Sequence, residues 1–177
     1  MNKKISAMDV ANYIVWYVNN NFVDNLTLTP LKLQKVLYYV HAEYLARNNG
    51  KPLFNENVEK WQYGPVVRNV YFEFKIHGTD HIQFPHSILK VTDNTDGTPS
   101  FEMIEFNEDV IESCPDTASL IKDVVDKLIE VPAFDLVEKT HQEPMWADDK
   151  VRILSGERGL VYDNAEITKY FQNNRIL

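Results

Sequence analysis

Cysteine and long apolar runs are both scarce in this sequence. Cys114 is the only cysteine among 177 residues, which excludes an internal disulfide and suits a reducing compartment. No apolar run approaches the ~20 residues that a membrane-spanning helix needs. Asp9 and Asn12 also interrupt the N-terminal apolar stretch too early for a signal peptide. We therefore predict a cytoplasmic protein with no membrane partner.

Positive charge is the third shortage. The chain has 18 Lys and Arg residues against 26 Asp and Glu residues, a net charge of -8, which argues against a broad phosphate-binding surface. Apolar residues, by contrast, make up 44% of the chain and aromatic residues 12%. Such a composition is typical of a packed core rather than of a disordered chain. The length suits one domain, which we predict to span residues 1–177.

The longest helix pattern runs from Thr29 to Arg47. Thr29 suits the N-cap position, and Pro30 suits the first helical position because its missing amide proton would have no partner there. Apolar residues recur at helical spacing and then extend around most of the cylinder. A helix this apolar must be covered on more than one side. We therefore predict a mainly α (α+β) fold around a buried central helix, with Leu37 and Val40 in the core.

Shorter patterns surround this helix. Ser6 and Asp9 form a capping box for a first helix to about Asn19. Gly64-Pro65 is predicted to open a third helix after a short strand at 58–63. The segments 88–91 and 101–106 read as strands of a small antiparallel β-hairpin. In the second of them apolar and acidic residues alternate, so we expect one face of the hairpin to pack against the core.

No pattern for a metal or a cofactor is complete. His41-Ala-Glu43 has the H-x-E form of a zinc deaminase, but the Cys-x-x-Cys pair that such a site requires cannot be built from one cysteine. His77 and His81 have a metal-like spacing with His86 nearby, but no further ligand set joins them. We predict no cofactor and no metal.

Patterns for nucleophilic catalysis and for phosphate binding are also incomplete. Cys114 and His141 could form a nucleophile and a base, but nothing around Cys114 resembles a nucleophile elbow. The glycines of 155–159 lack the Lys-Ser/Thr pair of a phosphate loop. We therefore predict that the protein is not an enzyme.

Three cations on the central helix leave one other function open. Lys32, Lys35 and Arg47 could belong to a recognition helix, so a DNA-binding regulator is an alternative. The apolar residues on the same helix and the acidic net charge argue against nucleic acid as the partner.

Four motifs occur in a familiar order. They are Met8-Asp9-Val10-Ala11-Asn12-Tyr13-Ile14, then Thr29-Pro30-Leu31-Lys32-Leu33-Gln34-Lys35-Val36-Leu37-Tyr38-Tyr39, Trp61-x-Tyr63-Gly64-Pro65-Val66-Val67 and Thr140-His141-x-x-Pro144-x-Trp146. In this order and spacing the chain resembles the Panacea domain family, which includes SocA-like antitoxins and phage-associated proteins. The resemblance runs from about Ser6 to Trp146. Residues 79–109 contain nothing that matches it.

The resemblance implies an antitoxin that neutralises a cognate protein toxin by binding it. Members of this family can also hand their toxin to a Clp-type protease. The family brings no catalytic residues, and we assign its motif residues a structural role: Leu31, Leu33, Gln34, Tyr38, Trp61, Tyr63, Gly64, Pro65, His141 and Trp146. As partner-binding residues we predict Lys35, Tyr39 and Arg68, on the assumption that they are exposed. If they are not the contact surface, residues 79–109 are the next candidate.

Overall fold

One helix lies at the centre of the fold. In a computed structural model, α2 (Pro30–Arg47) contacts α1 (Ala7–Asn21), α3 (Arg68–Phe74), α5 (Pro115–Leu128), α6 (Ala133–His141) and α9 (Asn164–Asn173). The structure describes residues 4–22 and 26–177. The predicted domain also includes residues 1–3 and 23–25, which lie outside the described residues.

The ends of α1 and α2 form as their sequences predict. The Thr29 hydroxyl accepts a hydrogen bond from the Lys32 amide at 3.2 Å, and Pro30 is the first residue of α2. Ser6 and Asp9 make both hydrogen bonds of a capping box at the start of α1. These caps satisfy amides that have no partner inside the helix. The prediction of a buried central helix is confirmed, since nearly all of α2 is buried.

The strands of the described residues form two separate antiparallel pairs, and an isolated antiparallel bridge joins Glu59 of the first pair to Val161. β1 (Val58–Trp61) pairs with β2 (Gly64–Val67), and Trp61 lies opposite Gly64. β3 (Ile88–Asp93) pairs with β4 (Pro99–Ile104) in the register Leu89 with Met103 and Val91 with Phe101. Together with the helices they confirm the mainly α (α+β) fold.

Two predictions about these strands are wrong. Pro65 does not begin the third helix but lies in β2, and α3 begins at Arg68. Val66 and Val67, which follow Pro65, are β-branched and keep the chain extended. The Val67 amide donates a hydrogen bond to the Gln34 side chain. The β3–β4 hairpin also fails to bury an apolar face, because Leu89, Val91, Phe101 and Met103 are all exposed.

Short helices complete the described chain. α4 (Asp109–Glu112) precedes α5, and α6 is followed by α7 (Pro144–Ala147) and α8 (Lys150–Leu154). The core of the protein is a single cluster of buried side chains from α1, α2, α5, α6 and α9, joined by residues of β1, β2, the shorter helices and the loops. Within the described ranges, no helix is both long enough and apolar enough to cross a membrane.

The stability of this core can be tested on α2. Leu37 and Val40 are fully buried, so their replacement by alanine leaves a cavity and is expected to cost about 2–4 kcal/mol each. Chemical denaturation measures this cost. Val151→Ala is the matched control, because Val151 is 82% exposed on α8. Unfolding curves for Leu37→Ala and Val40→Ala that match that of the control would mean that α2 does not form the core.

Candidate functional site

The second, third and fourth motifs meet at one place, below the turn between β1 and β2. The Gln34 side chain pairs with the backbone of Val67, accepting from its amide at 2.8 Å and donating to its carbonyl at 3.4 Å. The indole of Trp146 donates to the Trp61 carbonyl at 2.9 Å, and a ring nitrogen of His141 lies 3.1 Å from the Gln62 carbonyl. Side chains from α2, α6 and α7 therefore fix the backbone of the Trp61–Val67 hairpin.

A buried polar cluster lies beneath this hairpin. It consists of Lys35, Tyr38, Tyr39 and Glu143. The Lys35 ammonium donates to the Pro65 carbonyl at 2.9 Å, while the hydroxyls of Tyr38 and Tyr39 donate to the two Glu143 carboxylate oxygens at 2.6 and 2.9 Å. All four side chains are buried. Buried polar groups of this kind destabilise a fold unless they are paired.

This burial corrects the predicted positions of two partner-binding residues. Lys35 and Tyr39 were expected to be exposed, but both are fully buried. The reason is that α2 is covered on more than its apolar stripe. In addition to α1 and α5, it contacts β2, α6 and α9. Arg68 is exposed as expected, with 64% of its side chain accessible. It is the member of the predicted set that a partner can reach in this structure.

The cluster also shifts the pKa values of its charged members. Burial lowers the pKa of Lys35 to about 7, although the nearby Glu143 acts in the opposite direction. Burial raises the pKa of Glu143 to about 7, against the effect of the hydrogen bonds from Tyr38 and Tyr39. Desolvation disfavours the charged form of both groups, which explains the opposite signs.

Gly64 is where the hairpin approaches the cluster most closely. Its φ of 88° is in the left-handed region, which side chains with a Cβ rarely adopt. A Cβ at this position would overlap Thr140 Oγ1 and lie 3.2 Å from Lys35 Nζ. The motif therefore requires glycine here for two reasons, the backbone conformation and the lack of space.

A cleft of about 410 Å³ lies beside this hairpin; we call it the Trp61 cleft. It is lined by Glu59, Lys60, Trp61, Gln62, Arg68, Phe72, Ile153 and residues 156–159. Trp61 is half-buried and packs edge-on against Tyr71 at 4.8 Å, with its indole donating to Glu59 at 2.7 Å. The Arg68 guanidinium lies 5.5 Å from the centre of the exposed Phe72 ring. The cleft thus presents aromatic surface and a cation on a rigid support.

Two further aromatic residues are exposed, Tyr63 in the turn of the β1–β2 hairpin and Phe134 on α6. Tyr63 and Phe134 make an edge-to-face pair with ring centroids 6.2 Å apart. Tyr63 was assigned a structural role with Trp61, Gly64 and Pro65, yet more than half of its surface is accessible. Aromatic side chains that are rigid and exposed are frequent anchors in protein interfaces.

The histidines that were considered as metal-site residues make other contacts in the structure. His41 is buried and stacks on Phe54 at 4.1 Å, and burial lowers its pKa to about 4. His77 and His86 are in contact through their Nε2 atoms at 2.8 Å, whereas His81 is bonded to Asn19 and Leu28. Among the described residues, no group of three or more His, Cys, Asp or Glu side chains could hold a metal ion.

Cys114 and His141, which were considered as a nucleophile and a base, contact different residues. Cys114 is the residue before α5 and lines a depression with Tyr44 and Arg47. His141 stacks on Trp146 with ring centroids 3.7 Å apart. Its ring therefore takes part in fixing the motif hairpin. The glycine-containing segment 155–159 borders the Trp61 cleft, where Glu157 is paired with Arg152 at 2.6 Å.

Sequence reasoning missed Glu143, the centre of the buried cluster. It lies at an unassigned position of the motif Thr140-His141-x-x-Pro144-x-Trp146, directly before the first residue of α7. Two observations could have indicated its role. Glu143 is a carboxylate within a motif of otherwise structural residues, and the central helix of the same chain contains lysine. Its partners Tyr38 and Tyr39 are more than 100 positions away in the sequence.

Comparison with known proteins decides the family. A family model described as "Antitoxin SocA-like, Panacea domain" matches residues 33–147, which is more than half of the 177 residues. The chain belongs to this family. The matched region of the SocA-like domain contains the third and fourth motifs, the second motif from Leu33 onward and the whole buried cluster. It confirms the resemblance that the motifs indicate.

A curated member of the SocA-like family gives a partial match. The protein named Antitoxin SocA from Caulobacter vibrioides (strain NA1000 / CB15N) is 38% identical over 80 residues. The match covers 45% of this chain but only 40% of that relative. The chain thus matches well under two thirds of the relative's length. No solved structure matches significantly.

Proposed function

We propose that this protein is an antitoxin that neutralises a cognate protein toxin by direct binding, with the Trp61 cleft as part of the contact surface. The observation that carries the proposal is that the motif residue Trp61 lines an accessible cleft, and that other motif residues hold the backbone beside it. Trp61 and Gln62 lie in the cleft, while Trp146, His141 and Gln34 hold the backbone around them. A non-enzymatic role agrees with the family.

The chemistry of the cleft suits a protein partner. Interfaces are enriched in aromatic residues and arginine, which combine a large contact area with directional polar groups. Arg68 is the first residue of α3, where the helix dipole disfavours a cation. Its ion pair with Glu59 is long, at 3.9 Å. The guanidinium is therefore available to an acidic or carbonyl group of a partner.

The alternative of a DNA-binding regulator loses two of its three cations. Lys32 is buried and donates to the Ile129 carbonyl at 2.6 Å, and Lys35 is buried in the polar cluster. Arg47 is exposed but pairs with Glu43 at 2.7 Å. A recognition helix needs exposed side chains that reach bases and phosphates.

Delivery of the toxin to a Clp-type protease, which the resemblance implies, stays a prediction.

The proposed function is tested by co-expression with the product of the adjacent gene. If that product is toxic alone, the wild-type protein should restore growth and bind it in a pull-down of the purified pair. Arg68→Glu is expected to weaken this binding about ten-fold or more. Lys51→Glu is the matched control, since Lys51 is an exposed cation outside the cleft.

Melting temperatures are compared first, because the introduced carboxylate lies near Glu59. If a folded Arg68→Glu variant binds with the affinity of Lys51→Glu, the Trp61 cleft is not the contact surface. If the wild-type protein neither binds the product nor restores growth, this pairing of toxin and antitoxin is wrong.

A further inference from the structure

The β3–β4 hairpin exposes an apolar face that the fold does not use. Leu89 and Met103 are directly opposed across the strands, as are Val91 and Phe101. These four side chains are between 54% and 64% exposed. Because side chains alternate along a strand, all four point to the same side of the hairpin. We call them the hairpin face.

Within the described part of the chain, the hairpin packs against the core at its base. Ile88 and Phe106 are partly buried and pack against the core, whereas the residues from Leu89 to Pro99 are exposed. The opposite side offers no core either, since Lys90, Thr92 and Glu102 lie there and are exposed. An isolated two-stranded hairpin is marginal in water. Four exposed apolar side chains on such a hairpin indicate a surface that a partner covers.

Local hydrogen bonds nevertheless fix the hairpin. The Asn94 amide donates to the Thr98 carbonyl at 2.8 Å, and the Gly97 amide donates to the Asn94 carbonyl at 2.9 Å. Gly97 has a φ of 80°, which the turn requires and glycine tolerates. The hairpin therefore presents its face in a defined shape before a partner arrives, which lowers the entropic cost of binding.

The charge of this segment selects the partner. Residues 88–109 contain one lysine, Lys90, and six carboxylates: Asp93, Asp96, Glu102, Glu105, Glu108 and Asp109. A second copy of this chain would bring the same negative charge to the interface, and nucleic acid or an anionic membrane would be repelled as well. A protein surface with an apolar strip bordered by Lys and Arg would be complementary to this segment. Its apolar strip would cover the hairpin face, and its cations would pair with the carboxylates around that face.

We propose that the hairpin face binds a basic protein surface of the toxin, in addition to the contact at the Trp61 cleft. This inference rests on the proposed antitoxin function. The hairpin then supplies partner specificity: its carboxylates attract and orient a cationic surface, and its apolar side chains are covered in the complex. It gives a physical role to part of residues 79–109, which match no family motif.

The test uses a variant that preserves the strands. Val91→Thr combined with Phe101→Thr removes apolar surface but keeps residues that favour β-structure. The control is Val151→Thr, a similar change at an exposed valine on α8. We expect the hairpin variant to bind the purified product of the adjacent gene about ten-fold or more weakly, with a melting temperature within about 2 °C of wild type. Asp93→Lys, at a position of β3 on the same side as Leu89 and Val91, should reduce both affinity and its dependence on salt.

Each outcome separates this inference from the proposed function. Weaker binding by the hairpin variants but not by the control supports the inference. If wild type and all hairpin variants bind the toxin equally, the inference is overturned and the antitoxin function stands. If the hairpin variants lose a dimer seen for wild type by sedimentation, at unchanged toxin affinity, the face is a self-association surface instead. If wild type does not bind the toxin, both proposals fall.

Discussion

Replacing Glu143 with alanine is expected to lower the free energy of unfolding by about 3–5 kcal/mol. The substitution removes the acceptor of two buried hydroxyls, those of Tyr38 and Tyr39. It also removes the carboxyl group that acts against the lowering of the pKa of a fully buried lysine, Lys35, and leaves a cavity. Each buried donor without a partner retains its desolvation cost. Chemical denaturation of the purified variant measures the loss.

The control for this prediction is Glu138→Ala. Glu138 is an exposed carboxylate on α6, and its removal should change stability by no more than about 0.5 kcal/mol. A double-mutant cycle adds the mechanism: in a Tyr38→Phe, Tyr39→Phe background the donors are gone, so Glu143→Ala should cost clearly less. An equal cost in both backgrounds would show that the hydrogen bonds of the cluster contribute nothing to stability.

The pH dependence of the same substitution gives a second readout. Because the pKa of Glu143 rises from 4.5 in the unfolded chain to about 7 in the fold, the folded protein holds this proton more tightly. The contribution of Glu143 is then complete below about pH 4.5 and is lost as the pH rises through about 7. The stability difference between wild type and Glu143→Ala should therefore shrink from pH 5 to pH 8. A difference that grows over this range would mean that the ionised carboxylate is the stabilising form.

Gly64→Ala is the second substitution with a large expected effect, about 2–5 kcal/mol. Alanine at this position must adopt a left-handed backbone conformation, which costs about 1–2 kcal/mol. It must also displace Thr140 Oγ1, which is buried and donates to the Val137 carbonyl at 2.7 Å. Overpacking of this kind adds about 1–3 kcal/mol. The loss should appear in the free energy of unfolding.

The chain contains a matched control for the backbone term. Gly97 has a similar φ of 80°, but a Cβ there would meet nothing within 4 Å. Gly97→Ala should therefore cost only the backbone strain. Thr140→Ala in the Gly64→Ala background removes the clashing oxygen and should recover part of the loss. Equal costs for Gly64→Ala and Gly97→Ala would show that the cluster can move away from the hairpin without penalty.

Features that depend on neighbours in the sequence could be predicted from the sequence. Thr29 and Pro30 set the start of α2, Ser6 and Asp9 set the start of α1, and the apolar pattern of α2 indicated its burial. The reason is that caps and helical periodicity act over three or four residues. The order of the motifs likewise indicated the family, because it needs no knowledge of where the motifs meet.

Features that depend on which surfaces meet were decided by the tertiary structure. Lys35 and Tyr39 look like exposed positions on α2, but their environment is set by Pro65 and Glu143, distant in the chain. The alternation in β4 indicated an amphipathic strand correctly, but alternation does not say whether the apolar side meets the core or a partner. A local pattern shows that a side chain needs covering or pairing, whereas the packing of distant segments decides what covers it.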